Sequence, residues 1–104
     1  MSYVFLRFPK FLDKAVTLSY DDASIYDKRF LEIINKYGLK GTFNVNSSLI
    51  KESDGAWRLT QADIAHIYTD FGHEVAVHGA RHCSLADLSD AMIVNEIVND
   101  RRAL

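Results

Sequence analysis

Three times along this chain a short run of strand-forming residues stops at polar side chains and gives way to apolar residues at helical spacing. That alternation constrains the fold more than any other feature. Ala15-Val16-Thr17-Leu18-Ser19-Tyr20 stops at Asp21 and Asp22, which strands tolerate poorly. Phe30, Ile33, Ile34 and Tyr37 then fall on one helical face, with Ser24 or Asp27 as candidate caps and Gly38 past the end. Gly41-Thr42-Phe43-Asn44-Val45-Asn46 alternates as a second strand, and residues 47–55 read as a polar loop. Thr60 and Asp63 form a capping arrangement ahead of Ile64, Ile67, Tyr68 and Phe71, closed by Gly72. Glu74-Val75-Ala76-Val77 is a third strand, after which Ser89 caps a helix carrying Ile93, Val94, Ile97 and Val98.

Strands that alternate with helices this closely predict right-handed crossovers and a parallel sheet, because parallel neighbours need a connection of about a dozen residues or more. The expected class is α/β, three consecutive βα units in one domain over residues 1–104. A hydrophobic content of 48% suits a packed core that buries roughly two thirds of the unfolded surface. The formal charge of -2, with Arg101-Arg102 the one basic doublet near either end, disfavours a nucleic-acid-binding face. Cys83 is a lone cysteine and forms no intramolecular disulfide. The apolar run near Met1 is too short for a secretory signal and no stretch reaches a membrane span, so a soluble, cytoplasmic chain is expected.

Side chains at the carboxyl ends of neighbouring parallel strands share one crevice. Two chemistry-bearing groups fall there: Asp21-Asp22 after the first strand, and His78 with His82 after the third. Histidines four apart on a helical turn point to one side and can hold one ion, with Asp22 adding an oxygen ligand. Three protein ligands leave a position open for water and substrate, as catalytic metal sites do. Asp21 lies on the opposite side of an extended backbone unless the chain turns there; with such a turn it can take a proton from water at the metal.

Thr17-Leu18-Ser19-Tyr20-Asp21-Asp22-Ala23 resembles the Thr-Phe-Asp-Asp-Gly motif of the polysaccharide deacetylases of the NodB-homology class. Gly41-Thr42-Phe43-Asn44-Val45 resembles that family's Ala-Thr-Phe-Phe-Val strand, and residues 72–82 resemble Gly-His-Glu-Ile-x-x-His-(Ser/Thr)-x-x-His, with Leu85 where the family often has leucine. The resemblance implies a distorted (β/α) barrel enzyme that removes acetyl groups from an N-acetylated sugar or polysaccharide with a divalent metal, zinc most often or cobalt. It makes Asp21 the general base and Asp22, His78 and His82 the metal ligands. Ala23, Gly79 and Cys83 depart from the family's Gly, Ser or Thr, and Pro.

The family's later motifs, an arginine-containing segment, an Asp-Trp segment and a leucine-histidine segment supplying the general acid, have no counterpart here, so the chain is expected to be the truncated N-terminal part of such a domain. A homo-oligomer covering exposed barrel edges is expected with it. The alternatives are a non-catalytic metal-binding or oligomerising remnant, and another metal-dependent amide hydrolase on the same scaffold. His73 is expected to hydrogen-bond at the strand entry and His66 to face solvent. Cys83 is read as a packing residue, Arg81 as solvated, and the pairs Phe30/Tyr37 and Tyr68/Phe71 as core. Trp57 is read as an anchor for its loop, with stacking on a sugar ring as the alternative.

Overall fold

The three apolar runs pair side by side in chain order. A computed structural model describes residues 8–104; the Val4-Phe5-Leu6 run read for a secretory signal lies outside them. Strands β1 (Ser19–Asp21), β2 (Thr42–Val45) and β3 (Glu74–Val77) form one parallel sheet, with Tyr20 beside Phe43 and Phe43 beside Val75. Helix α1 (Asp27–Lys36) connects β1 to β2, α2 (Ser47–Lys51) and α3 (Gln61–Ile67) connect β2 to β3, and α4 (Asp90–Ala103) follows β3. The parallel α/β arrangement is the one expected.

Central β2 organises the core because its side chains alternate across the sheet. Phe43 and Val45 are fully buried with Leu31, Ile34, Leu59 and Tyr68, while Thr42 and Asn44 take the opposite face. Phe43 stacks on Tyr68 at 4.4 Å between ring centroids, and Tyr20 packs on Phe30 at 4.3 Å. The Tyr68 hydroxyl donates to Asp27, which ties the end of α3 to the start of α1; burial pushes the Asp27 carboxyl above its ordinary range. Gly41 permits the close approach of β1, since a Cβ there would lie 3.3 Å from both the Leu18 carbonyl oxygen and the Phe43 ring.

Several local expectations need correction. β1 spans residues 19–21 rather than 15–20, because its one paired neighbour begins at Thr42. Residues 47–51, expected as loop, form α2, whose Ile50 is buried in the core. In α1 the stripe is Leu31 and Ile34 with Phe30 partly buried; Ile33 and Tyr37 are exposed, as is Phe71 beyond α3. Neither Ser24 nor Asp27 caps α1 through its side chain. The Thr60–Asp63 capping box forms as expected, and backbone hydrogen bonding at Thr60 holds the Asp63 carboxyl below its usual range. Ser89 occupies the cap position of α4 without a side-chain bond. Val94, Ile97 and Val98 are exposed, so the apolar face of α4 is uncovered among the described residues. No helix there is long and apolar enough to cross a membrane.

His73 lies at the strand entry as expected, buried against the edge of Phe43. Its Nδ1 accepts the Gly41 N–H at 3.1 Å and its Nε2 lies 2.7 Å from the Asn35 side-chain oxygen, an arrangement that requires the neutral ring. Burial, and to a smaller extent the Lys40 ammonium, hold this imidazole below its ordinary value of 6.5. The unfolded chain therefore accepts a proton that the folded state resists. Stability from this group is complete above that value and is lost as pH falls from there through the folded value. Urea unfolding from pH about 7.5 to about 5.5 is expected to show falling stability in the wild type and a shallower fall in His73→Gln; parallel curves would contradict the assignment.

Candidate metal centre

A turn at the end of β1 aims the two aspartates. Asp22 (φ 73°) and Ala23 (φ 49°) both take the left-handed conformation, which reverses the extended chain and brings Asp21 and Asp22 to one crevice. The turn is strained for non-glycine residues, at about 1 kcal/mol or more each, and its neighbours hold it. The Asp22 N–H donates to the Asn44 carbonyl at 3.0 Å, the Arg58 guanidinium donates to the Asp22 carbonyl at 2.7 Å, and Leu59 N–H donates to the Ala23 carbonyl at 2.9 Å. The Ala23 methyl is buried in the core.

The histidine pair converges by a different route from the one expected. Residues 78–82 form an irregular turn, not a helix, in which Gly79 (φ 79°) and His82 (φ 58°) are left-handed. The rings nevertheless meet, with centroids 4.9 Å apart. Asp22 Oδ1 lies 3.4 Å from His78 Nε2 and 3.2 Å from His82 Nε2, and one ligand atom from each residue falls within 4.8 Å of the other two.

These distances suit a shared cation. Donors bound at about 2.0–2.1 Å in a tetrahedron stand about 3.3 Å from one another. Asp22 Oδ1 is also buried and accepts no hydrogen bond among the described residues, with the Arg58 guanidinium 3.8 Å away; a buried carboxylate oxygen so placed gains from a closer cation. One carboxylate oxygen and two imidazole nitrogens form a donor set that could hold a divalent ion. Asp21 sits at the rim, half exposed, with Oδ2 3.9 Å from His78 Nε2 and Oδ1 accepting from Asn44 Nδ2 at 2.8 Å.

Three supporting residues escaped the sequence reading. Asn44 also donates to Ser19 Oγ at 3.0 Å, bracing β1 beside Asp21. Asp100, with no solvent exposure, accepts from the backbone N–H groups of His78 at 2.8 Å and Ser47 at 2.7 Å. Glu96, one turn earlier on α4, accepts from the Arg81 N–H at 2.8 Å, and its carboxylate lies 3.5 Å from where a Cβ on Gly79 would be. No local pattern in α4 marked either acid, because their partners are backbone groups of distant turns. Of the other candidates, His66 is exposed beside Asp70, and Arg81 is exposed, 3.4 Å from Glu52. Cys83 does not pack inside but is exposed, and Trp57 is 78% exposed rather than a buried anchor for its loop.

The sequence pattern of the polysaccharide deacetylase family matches residues 9–104. Among solved structures, the Streptococcus pyogenes deacetylase PplD in complex with acetate is similar at a TM-score of 0.79 and 25% sequence identity, over 86% of this chain and 39% of that one. The chain therefore spans well under two thirds of that deacetylase's length. No curated protein matches the chain.

Asp100→Ala removes an acceptor shared by the part-buried backbone N–H groups of Ser47 and His78, the second of which also donates to the Val45 carbonyl at 3.2 Å. A loss of about 2–4 kcal/mol in urea unfolding is expected, and a smaller loss for Asp100→Asn, which keeps one acceptor. A loss in Asp100→Ala under about 1 kcal/mol would show that water replaces the carboxylate.

Proposed function

The chain belongs to the polysaccharide deacetylase family, and from that premise we propose that it is catalytic machinery for metal-dependent removal of N-linked acetyl groups from an N-acetylated sugar or polysaccharide. The supporting observation is the convergence of Asp22, His78 and His82, with a buried carboxylate oxygen that accepts no hydrogen bond. In this reading those three residues hold a divalent ion, zinc by the nature of the donors. When bound, the ion supplies Lewis acidity to the acetamide carbonyl and its attacking water.

Asp21 is the general base in this proposal. Asn44 engages one of its oxygens, leaving the other to take the proton of the attacking water. The hydrogen bond fixes the carboxyl's rotation, so the base is oriented before substrate arrives. The Asp22 turn separates the two acids by role, with Asp22 deep against the imidazoles and Asp21 at the open rim. The PplD structure is of a complex with acetate; in this reading the site here would release acetate, together with a free amine on the sugar. The fuller architecture proposed with this function is the distorted (β/α) barrel, of which these three strands are one arc.

A non-catalytic metal-binding domain that associates with itself is the second reading. The exposed apolar residues Val77, Ile97 and Val98 on β3 and α4 favour it.

Metal analysis with an acetate-release assay on N-acetylglucosamine oligomers decides between them. The proposal expects one divalent ion per chain, its loss in Asp22→Ala, and Asp21→Asn that keeps the ion while acetate release drops by about 10²–10⁴-fold. Stoichiometric metal without acetate release selects the second reading; metal retained in Asp22→Ala removes the ligand assignment.

A further inference from the structure

Beside the candidate metal centre the chain displays its single tryptophan to solvent. The backbone that carries Trp57 is well fixed. Its carbonyl accepts the Ile25 N–H at 3.2 Å, Arg58 bridges Ser24, and Leu59 is fully buried. An indole 78% exposed on such a backbone is held outward by its neighbours, at the cost of apolar surface left in water.

The indole borders a shallow groove of about 360 Å³ lined by Leu49, Glu52, Ser53, Asp54, Trp57 and Arg58. Arg58 connects this groove to the candidate centre, since the residue that lines it also donates through its guanidinium to the Asp22 carbonyl at 2.7 Å and lies 3.8 Å from Asp22 Oδ1. Asp54 uses Oδ1 on the Ala56 N–H, and Glu52 uses Oε1 on Arg81. Each carboxylate retains an oxygen for a hydroxyl donor.

We propose that Trp57 and this groove form a subsite for a neighbouring ring of an uncharged N-acetylated sugar oligomer whose reacting acetamide lies at the metal centre. A pyranose presents a face of C–H groups that stacks on an indole, while its equatorial hydroxyls point outward to carboxylate acceptors. Two carboxylates against one guanidinium exclude a polyanionic chain. The subsite rests on the deacetylase reading for its ligand, and supplies that reading with a preference for oligomers over single sugars.

Because Trp57 is the only tryptophan, emission excited selectively at the indole, to the red of the five tyrosines, reports on it alone. Titration of the full chain with the tetramer of N-acetylglucosamine is expected to shift that emission saturably, both in metal-loaded and in chelator-treated protein. Calorimetry is expected to show binding about tenfold weaker in Trp57→Ala and largely restored in Trp57→Phe, with metal content equal to wild type. Tetramer binding without an emission change, equal affinity in Trp57→Ala, or no binding at millimolar tetramer would each overturn the subsite. Failure of the wild type to hold metal would overturn the deacetylase reading instead, and the emission titration of chelator-treated protein separates the two.

Discussion

A single buried carboxylate holds the candidate site together. Asp100 reaches from α4 to the N–H groups of Ser47 and His78, the residues just beyond the carboxyl ends of β2 and β3. Asn46, fully buried beside it, donates to the carbonyls of His78 and Gly79 at 2.8 and 2.7 Å. Strand ends in a parallel sheet leave donors and acceptors that the ladder satisfies only in part, as it does the His78 N–H through the Val45 carbonyl at 3.2 Å, and in the interior such groups need partners. Here the same bonds that satisfy those groups also set the direction of His78. Stability and the geometry of the candidate site therefore depend on one set of contacts.

The parts legible in the sequence are those in which a local pattern is its own cause. Glu74-Val75-Ala76-Val77 is a strand with the expected bounds, and the Thr60–Asp63 box starts α3 where it was read. Asp21, Asp22, His78 and His82 were legible because motif and strand end coincide, and the structure brings Asp22, His78 and His82 within reach of one another. What was not legible depends on distant partners. Periodicity picked Ile33 and Tyr37 for the core of α1, yet only the position of β2 decides that Leu31 turns inward instead. Helix α2 read as loop because five residues give too little periodicity, and it is pinned by Ile50. Asp100 and Glu96 carried no sequence signal, since nothing local indicates that a strand end needs them.

The histidine spacing shows how a correct conclusion can rest on an incorrect intermediate. A helical turn predicts two imidazoles on one side, and the imidazoles are on one side, but an irregular turn with left-handed Gly79 and His82 puts them there. A β-carbon at residue 79 would be strained at this φ and would come 3.5 Å from the Glu96 carboxylate. Glycine in place of the family's Ser or Thr is thus matched to the turn this chain adopts. At residue 23 the trade runs the other way. Alanine accepts a left-handed conformation that favours glycine, and its methyl fills core space next to the strained turn.

Strain of this kind persists only where surrounding contacts over-determine it, and its location is informative. Asp22, Ala23 and His82, three of the five non-glycine residues with positive φ among the described residues, lie within the two turns that form the candidate centre. The Asp22 turn is held from outside by Arg58, whose guanidinium spends its short bond on the carbonyl and stands off the carboxylate at 3.8 Å. At that distance the pair attracts without a direct hydrogen bond, so the Oδ1 lone pairs stay free of the guanidinium N–H groups. With the guanidinium held on the backbone, the buried oxygen faces two imidazoles that are themselves metal donors. The backbone is thereby shaped around an oxygen that a divalent ion would satisfy better than any side chain within reach.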